Sequence, residues 1–435
     1  MKLASHIVLG LCMCAVASAQ ESKSLEECVE LALRHHPSLQ AGAARAAAAQ
    51  ARVRQAASAY LPQIDATYAA NRRSTSVAAR TGTTLGTATQ TFNFFNTGVS
   101  FSQLLFDFGQ AFHAIESAQA QAEASSADLE TQRQQVVFGV KQAYFTLLTA
   151  QHLRDVAAEA VRRSEKHLEL AKGRYDVGLA PRLDVTREQA QLAANQLDLL
   201  RAEHNVRLGY ETLRNAIGLE APVSFTLQDV PLTPPPLADE ETLIKRAWEN
   251  RPELRRLTAQ IRAAEQDLLA LERNHLPVIT GGGQYQWSGA VFPLQPNWNV
   301  GAAVTLPLFR GGLTVAQIEA AKQSLVALGH DADTLRQSIA LEVREALLRY
   351  QEAAKSIQVS RQGAEQARQN LELAEGRYAT GVGSIIEVTD AQSTFVTAKA
   401  QEIQALYSHH LGVAALEKAI GARIEEPKVS SMQWE

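Results

Sequence analysis

One sequence signature occurs twice in this chain, 203 residues apart, and that duplication restricts the architecture more than any other feature. Leu168-Glu169-Leu170-Ala171, then Gly173-Arg174-Tyr175 and Gly178, returns as Leu371-Glu372-Leu373-Ala374, then Gly376-Arg377-Tyr378 and Gly381. Residues 168–192 and 371–395 share 11 identities in 25 positions. The same offset relates Gly98 to Gly301, Phe106 to Phe309, and Ala216-Ile217-Gly218 to Ala419-Ile420-Gly421. Upstream the offset becomes 215, matching Ala32 and Pro37 to Ala247 and Pro252, and Leu61-Pro62 to Leu276-Pro277. The first copy therefore holds 12 extra residues between Pro62 and Gly98, where Ser74 to Gly86 is rich in Ser, Thr, Gly and Ala and reads as a surface loop. Between the copies lies Pro231-Leu232-Thr233-Pro234-Pro235-Pro236, which can be neither helix nor central strand. The expected organisation is a first repeat over 20–230, a linker over 231–236 and a second repeat over 237–435.

The first residues read as an address. Lys2 precedes an apolar run from Ile7 to Ala17, and Ala17-Ser18-Ala19 has the small-residue form of a cleavage site. Residues 1–19 are thus expected to be a secretory signal peptide. The rival reading, a membrane anchor, needs roughly 20 apolar residues, and the run is shorter. Cys12 and Cys14 fall in this segment, which leaves the exported chain with Cys28 alone and nothing to mispair in an oxidising compartment.

Each repeat reads as a helix, two strands and a long helical hairpin. The opening helix, about 35 residues, is expected to stop at Tyr60 or His275, before Leu-Pro. In the first repeat Ile64, Ala66 and Tyr68 alternate with polar or small residues, and Val99, Phe101, Gln103 and Leu105 share one face of the next segment. In the second, Val278 to Ser288 and Trp298 to Leu308 behave alike. A period of two over about ten residues suits a tilted membrane strand, and it suits a soluble hairpin as well. A proline-free stretch follows from Gln110 to Lys172 and again from Thr314 to Glu375, each about 95 Å long as a helix. The chain turns at Gly178 or Gly381 and returns. Val185, Leu192, Leu199, Val206 and Leu213 then recur every seven residues, the spacing of coiled-coil packing.

Several function classes drop out. The net charge of -4, from 42 basic and 46 acidic residues, argues against nucleic acid as a partner. No catalytic constellation, cofactor motif or metal-ligand set is indicated, so the chain is not read as an enzyme. His35-His36 and His409-His410 are adjacent on expected helices and point about 100° apart, unlike the i, i+4 pair of a metal face. Gly281-Gly282-Gly283 lacks the Lys and following helix of a phosphate loop and is expected to relieve crowding in a strand.

Four strands cannot close a membrane barrel, and open edges cannot face lipid. If the strands enter a membrane, several chains must pool them. The duplicated Gly-Arg-Tyr-x-x-Gly with Asp184-Val185-Thr186 or Glu387-Val388-Thr389 resembles the periplasmic turns of TolC-like outer-membrane efflux channels. Leu-Phe-Asp-Phe-Gly at 105–109 and Leu-Phe-Arg-Gly-Gly at 308–312 resemble that family's junctions from strand to long helix. The resemblance spans essentially all of 24–424. It implies a mainly α fold with a small membrane β part: a homotrimer with a 12-stranded β-barrel above an α-helical barrel. It implies an outer-membrane efflux or type I secretion channel of a Gram-negative bacterium, set in outer-membrane lipid and reaching into the periplasm. The implied partners are a periplasmic adaptor and an inner-membrane transporter. The rival is a soluble periplasmic coiled-coil scaffold or adaptor.

The resemblance also assigns residues. It implies that Tyr378 links to Asp184 and holds one hairpin against the other. Glu387 and Asp390 would form acidic rings that narrow the tunnel. The turns at Gly173, Arg174, Tyr175, Gly178 and Leu179, and at Gly376, Arg377, Gly381 and Val382, would meet the adaptor. Some family members carry Arg two positions after the second turn glycine; here that position is Gly383.

Overall fold

The computed structural model describes residues 22–76, 89–223, 225–232 and 238–422. The signal segment 1–19 and residues 233–236 of the linker lie outside these, as does most of the expected loop at 74–86, of which 74–76 are strand.

The described elements run β1 (Ser22–Lys23), α1 (Leu25–His35), α2 (Pro37–Ala57), β2 (Gln63–Ser76), β3 (Thr89–Phe106), α3 (Gln110–Asp176) and α4 (Arg182–Ile217). They continue as β4 (Thr226–Leu227), α5 (Glu240–Asn250), α6 (Pro252–Arg273), β5 (Val278–Gly289), β6 (Gln295–Thr305), α7 (Leu313–Ala379) and α8 (Ile385–Ile420). The long helices α3 and α7 have 67 residues each, and the return helices α4 and α8 have 36 each.

The opening helix of each repeat differs from expectation. It is two helices, broken at His36 and at Arg251, whose backbones are extended (φ -63, ψ 123 and φ -64, ψ 121). Pro37 and Pro252 follow, and the ring of a proline pushes the preceding residue out of the helical region. Ser24 and Glu27 form a reciprocal cap at the start of α1. Strand β6 also ends earlier than expected, at Thr305, two residues before Pro307.

Contacts divide the described residues into two compact units: those within 22–39, 133–243 and 342–422 form one, and those within 40–132 and 244–341 the other. Each draws on both repeats. The first contains the paired hairpins. One of its cores joins Cys28 and Ala32 of α1 to Val140, Tyr144 and Leu147 of α3, Leu213 and Ile217 of α4, and Tyr407 of α8. Tyr144 donates its hydroxyl proton to the Gln228 carbonyl at 2.6 Å, which satisfies the one polar atom it buries.

The second unit contains a four-stranded antiparallel sheet in the order β2-β3-β5-β6. Its register puts Ile64 opposite Phe101, Val99 opposite Tyr285, and Tyr285 opposite Trp298 on one face. The other face aligns Asp65, Ser100, Gln284 and Asn299, then Thr67, Gly98, Gln286 and Asn297. One side is therefore apolar and the other polar. At Gly283 an added Cβ would lie 2.7 Å from the Phe101 ring and 2.9 Å from the Asn299 carbonyl oxygen, so crowding explains that glycine. Among the described residues no helix is long and apolar enough to cross a membrane.

Candidate functional site at the hairpin ends

The two hairpin turns are built alike. Helix α3 stops because Gly178 takes φ +77, a conformation that side chains resist. The Leu179 N–H then donates to the Arg174 carbonyl at 2.8 Å and the Gly178 N–H to the Tyr175 carbonyl at 2.9 Å. In the second hairpin Gly381 takes φ +81, and Val382 and Gly381 donate to Arg377 and Tyr378, both at 3.0 Å. Gly383 donates its N–H to the Arg377 carbonyl at 2.9 Å, and an added Cβ would lie 2.9 Å from that of Arg377. The position where some family members carry Arg is thus folded onto the end of α7. Tyr175, Leu179 and Val382 are exposed on the turns, together with Val177 and Leu183. Gly173 and Gly376, also exposed, have open space over them.

Tyr378 is 4% exposed, within a cluster of Leu371, Ala374, Ile385, Val388 and Ala391. The structure joins it to Arg174. That guanidinium sits 4.7 Å from the ring centroid and also donates to the Tyr378 carbonyl. The Tyr378 hydroxyl is buried without a hydrogen-bond partner. Burial, and next the charge of Asp184, raise its pKa. Asp184 is an electrostatic neighbour of Tyr378, and no hydrogen bond joins them. Glu387 pairs with Arg377 at 3.3 Å. Asp390 is one turn further and exposed, and both acids lie opposite the buried Ile385, Val388 and Ala391.

Above the turns lies a buried polar layer that residue patterns did not single out. Glu188 of α4 is 1% exposed and accepts a hydrogen bond from the Thr389 hydroxyl of α8 at 3.0 Å. Burial raises its pKa. Ser164 of α3 accepts from Asn195 of α4 at 2.6 Å and from Gln392 of α8 at 3.1 Å. His167 and Arg163 of α3 reach Glu375 of α7 at 3.2 and 3.3 Å and hold its carboxyl below the ordinary range. All four helices thus meet through polar groups. A signal existed: Glu188, Asn195, Ala202 and Gly209 repeat every seven residues, three after Val185, Leu192, Leu199 and Val206. They are the second inward-facing set of the heptad, and two of them are polar.

Among the described residues no three His, Cys, Asp or Glu side chains are grouped to hold a metal ion. His409 and His410 are buried, against Tyr350 and Phe145 respectively, and His36 lies in the break between α1 and α2.

The family model described as outer membrane efflux protein matches residues 28–219 and 243–422. The chain is 26% identical over 436 residues to the outer membrane protein TolC of Vibrio cholerae, covering 98% of this chain and 97% of that protein. It is 27% identical over 410 residues to protein CyaE of Bordetella pertussis, covering 92% and 84%. Among solved structures, the Campylobacter jejuni CmeC outer membrane channel superposes with a TM-score of 0.82 at 19% identity, covering 93% of this chain and 87% of that one.

Proposed function

The chain belongs to the outer membrane efflux protein family, and we propose that three copies build one continuous conduit from the periplasm to the cell exterior. It is an outer-membrane efflux channel, and its family is one of transport proteins. The soluble scaffold reading is set aside by that membership.

The sheet carries the proposal. It has one apolar face, one polar face and two open edges, β2 and β6. In lipid those edges must be paired, because unsatisfied backbone groups there cost several kcal/mol each. Three sheets of four strands make an even-numbered barrel of 12. The hairpins of the three copies then form a helical tunnel. The two repeats, 20–230 and 237–435, act as alternating staves joined by the 231–236 linker, and export follows cleavage after Ala19. The exposed apolar residues of the turns receive a periplasmic adaptor, which links the channel to an inner-membrane transporter.

The gate is at the turns. Three copies each of Glu387 and Asp390, on the exposed face of α8, make a negative ring around the tunnel, whose field the helix walls focus. The ring favours cations and is plugged by trivalent ones. The expected outcomes are a trimer by native mass measurement in detergent and cation-selective pores in planar bilayers. Glu387→Ala with Asp390→Ala abolishes trivalent block. A stable monomer or dimer rejects the assembly, and unchanged block in the double variant moves the constriction elsewhere.

A further inference from the structure

The polar face of the sheet changes character at its loop end. From Gln63 to Ala69 on β2 and across the paired strands it offers amides, hydroxyls and small residues, with Asp65 among them. Its charged groups among the described strand residues are Asp65 and Arg73, at opposite ends of β2. Beside Arg73 the same face carries Phe92, its direct cross-strand partner, and Phe94, opposite Asn71. The Arg73 guanidinium lies over the Phe94 ring at 4.5 Å from its centroid. That contact puts both side chains on the polar face, as the unbroken register requires. Two aromatic rings on an otherwise hydrophilic surface need a reason, because water-facing strand positions do not favour them.

We propose that Arg73, braced by Phe94, forms an anion-selecting collar inside the outward end of the barrel, and that it binds anions bearing an aromatic ring. This rests on the trimeric barrel described above, in which the polar face lines the lumen. A 12-stranded barrel with strands about 4.8 Å apart and tilted about 40° is roughly 24 Å across at the backbone. Three Arg73–Phe94 pairs and three Phe92 rings directed inward narrow that opening. The guanidinium supplies the charge, and the rings supply a flat apolar wall for the ligand's own ring to meet. Asp65, eight residues down the strand, is about 27 Å away at 3.4 Å per residue. That is several Debye lengths at physiological salt, about 8 Å each, so it does not cancel the collar.

The test uses the full-length channel in planar bilayers, with benzenesulfonate added on the side opposite the helical tunnel. Wild type is blocked by benzenesulfonate from that side. Arg73→Glu lowers the chloride-to-potassium permeability ratio about threefold or more and removes the block, whereas Arg73→Lys preserves the ratio. Phe94→Leu keeps the ratio and weakens the block. Arg72→Glu, one residue away on the apolar face, leaves both unchanged. If Arg73→Glu leaves the ratio and the block as in wild type, or Arg72→Glu changes them equally, the collar is refuted. Should the wild-type protein be monomeric and form no pore, the barrel reading falls and the collar with it. If it conducts, shows trivalent block at the helical end and ignores Arg73, the collar alone falls.

Discussion

Helices α4 and α8 occupy equivalent places in the duplication and have the same 36 residues, yet they are buried to very different degrees. Helix α4 buries Glu188, Val206, Gly209, Leu213 and Ile217. Helix α8 buries 14 residues, because it packs on both long helices: Tyr407 meets Phe145 of α3, and His409 meets Tyr350 of α7. Their sequences have diverged accordingly. Leu200 is 57% exposed and its counterpart Ile403 is 8%. The exposed pair Asp198–Arg201 is replaced by Gln401 and Gln404. Duplication copied the geometry of turns and lengths. Burial was then allotted by which surfaces each copy meets, and α4 is left with Leu197, Leu200 and Leu208 facing outward.

The largest test of this asymmetry is cavity creation. Leu213 and Leu416 are equivalent and both 0% exposed, so Leu→Ala at either costs about 2–5 kcal/mol in thermal unfolding. One helix away from that symmetry, Ile403→Ala costs a similar amount. Leu200→Ala leaves subunit unfolding within about 0.5 kcal/mol and instead lowers the trimer fraction. Equal subunit losses at 200 and 403 would erase the distinction between inner and outer return helices.

Acid sharpens the same comparison. Burial lowers the pKa of His409, and burial with His409 as neighbour brings His410 to about 4. The unfolded chain therefore takes up these protons first, and stability falls as pH drops below about 6.5, for His410 down to about 4, by up to about 1.4 kcal/mol per pH unit per group. His410→Leu shallows the slope in pH-dependent melting. The equivalent positions in α4 are Val206 and Arg207, so the histidine pair belongs to α8 alone of the two.

Arg174 and Arg377 are also equivalents with unlike surroundings. Arg174 crosses to the other hairpin and stacks on Tyr378. Its loss as Arg174→Ala removes about 1–3 kcal/mol from hairpin contact and raises single-channel conductance. Arg377 makes a half-exposed pair with Glu387, worth about 0–1 kcal/mol, and Arg377→Ala barely changes the opening. Tyr378→Phe alone also has little effect, since the hydroxyl has no partner to lose.

The smallest shift concerns Glu188, whose counterpart is Ala391. Its folded-state pKa is raised by burial, so it loses stability for the protein as pH rises from about 4.3 through that value. Glu188→Gln keeps an acceptor for Thr389, raises the melting temperature at pH 7 and flattens this part of the pH profile. A lower melting temperature would mean the carboxylate is stabilising in its charged form.

Local chain chemistry determined much of this protein. Proline-free heptads specify long hairpins, glycines at 178 and 381 specify the turns, and period-two alternation specifies the two faces of the sheet. The breaks at His36 and Arg251 run against the single 35-residue helix expected, although the proline rule, by which the preceding residue resists the helix, marks both. Three things were left to the tertiary structure: the inner position of α8, the reach of Arg174 to Tyr378, and the polar layer around Glu188 and Ser164. Turn types and periodicities act between residues a few positions apart, so two copies of one sequence pattern obey them equally. Burial and side-chain pairing depend on which distant surfaces meet. Between Arg174 and Tyr378 that distance is 204 residues of chain, and only the packed helices close it.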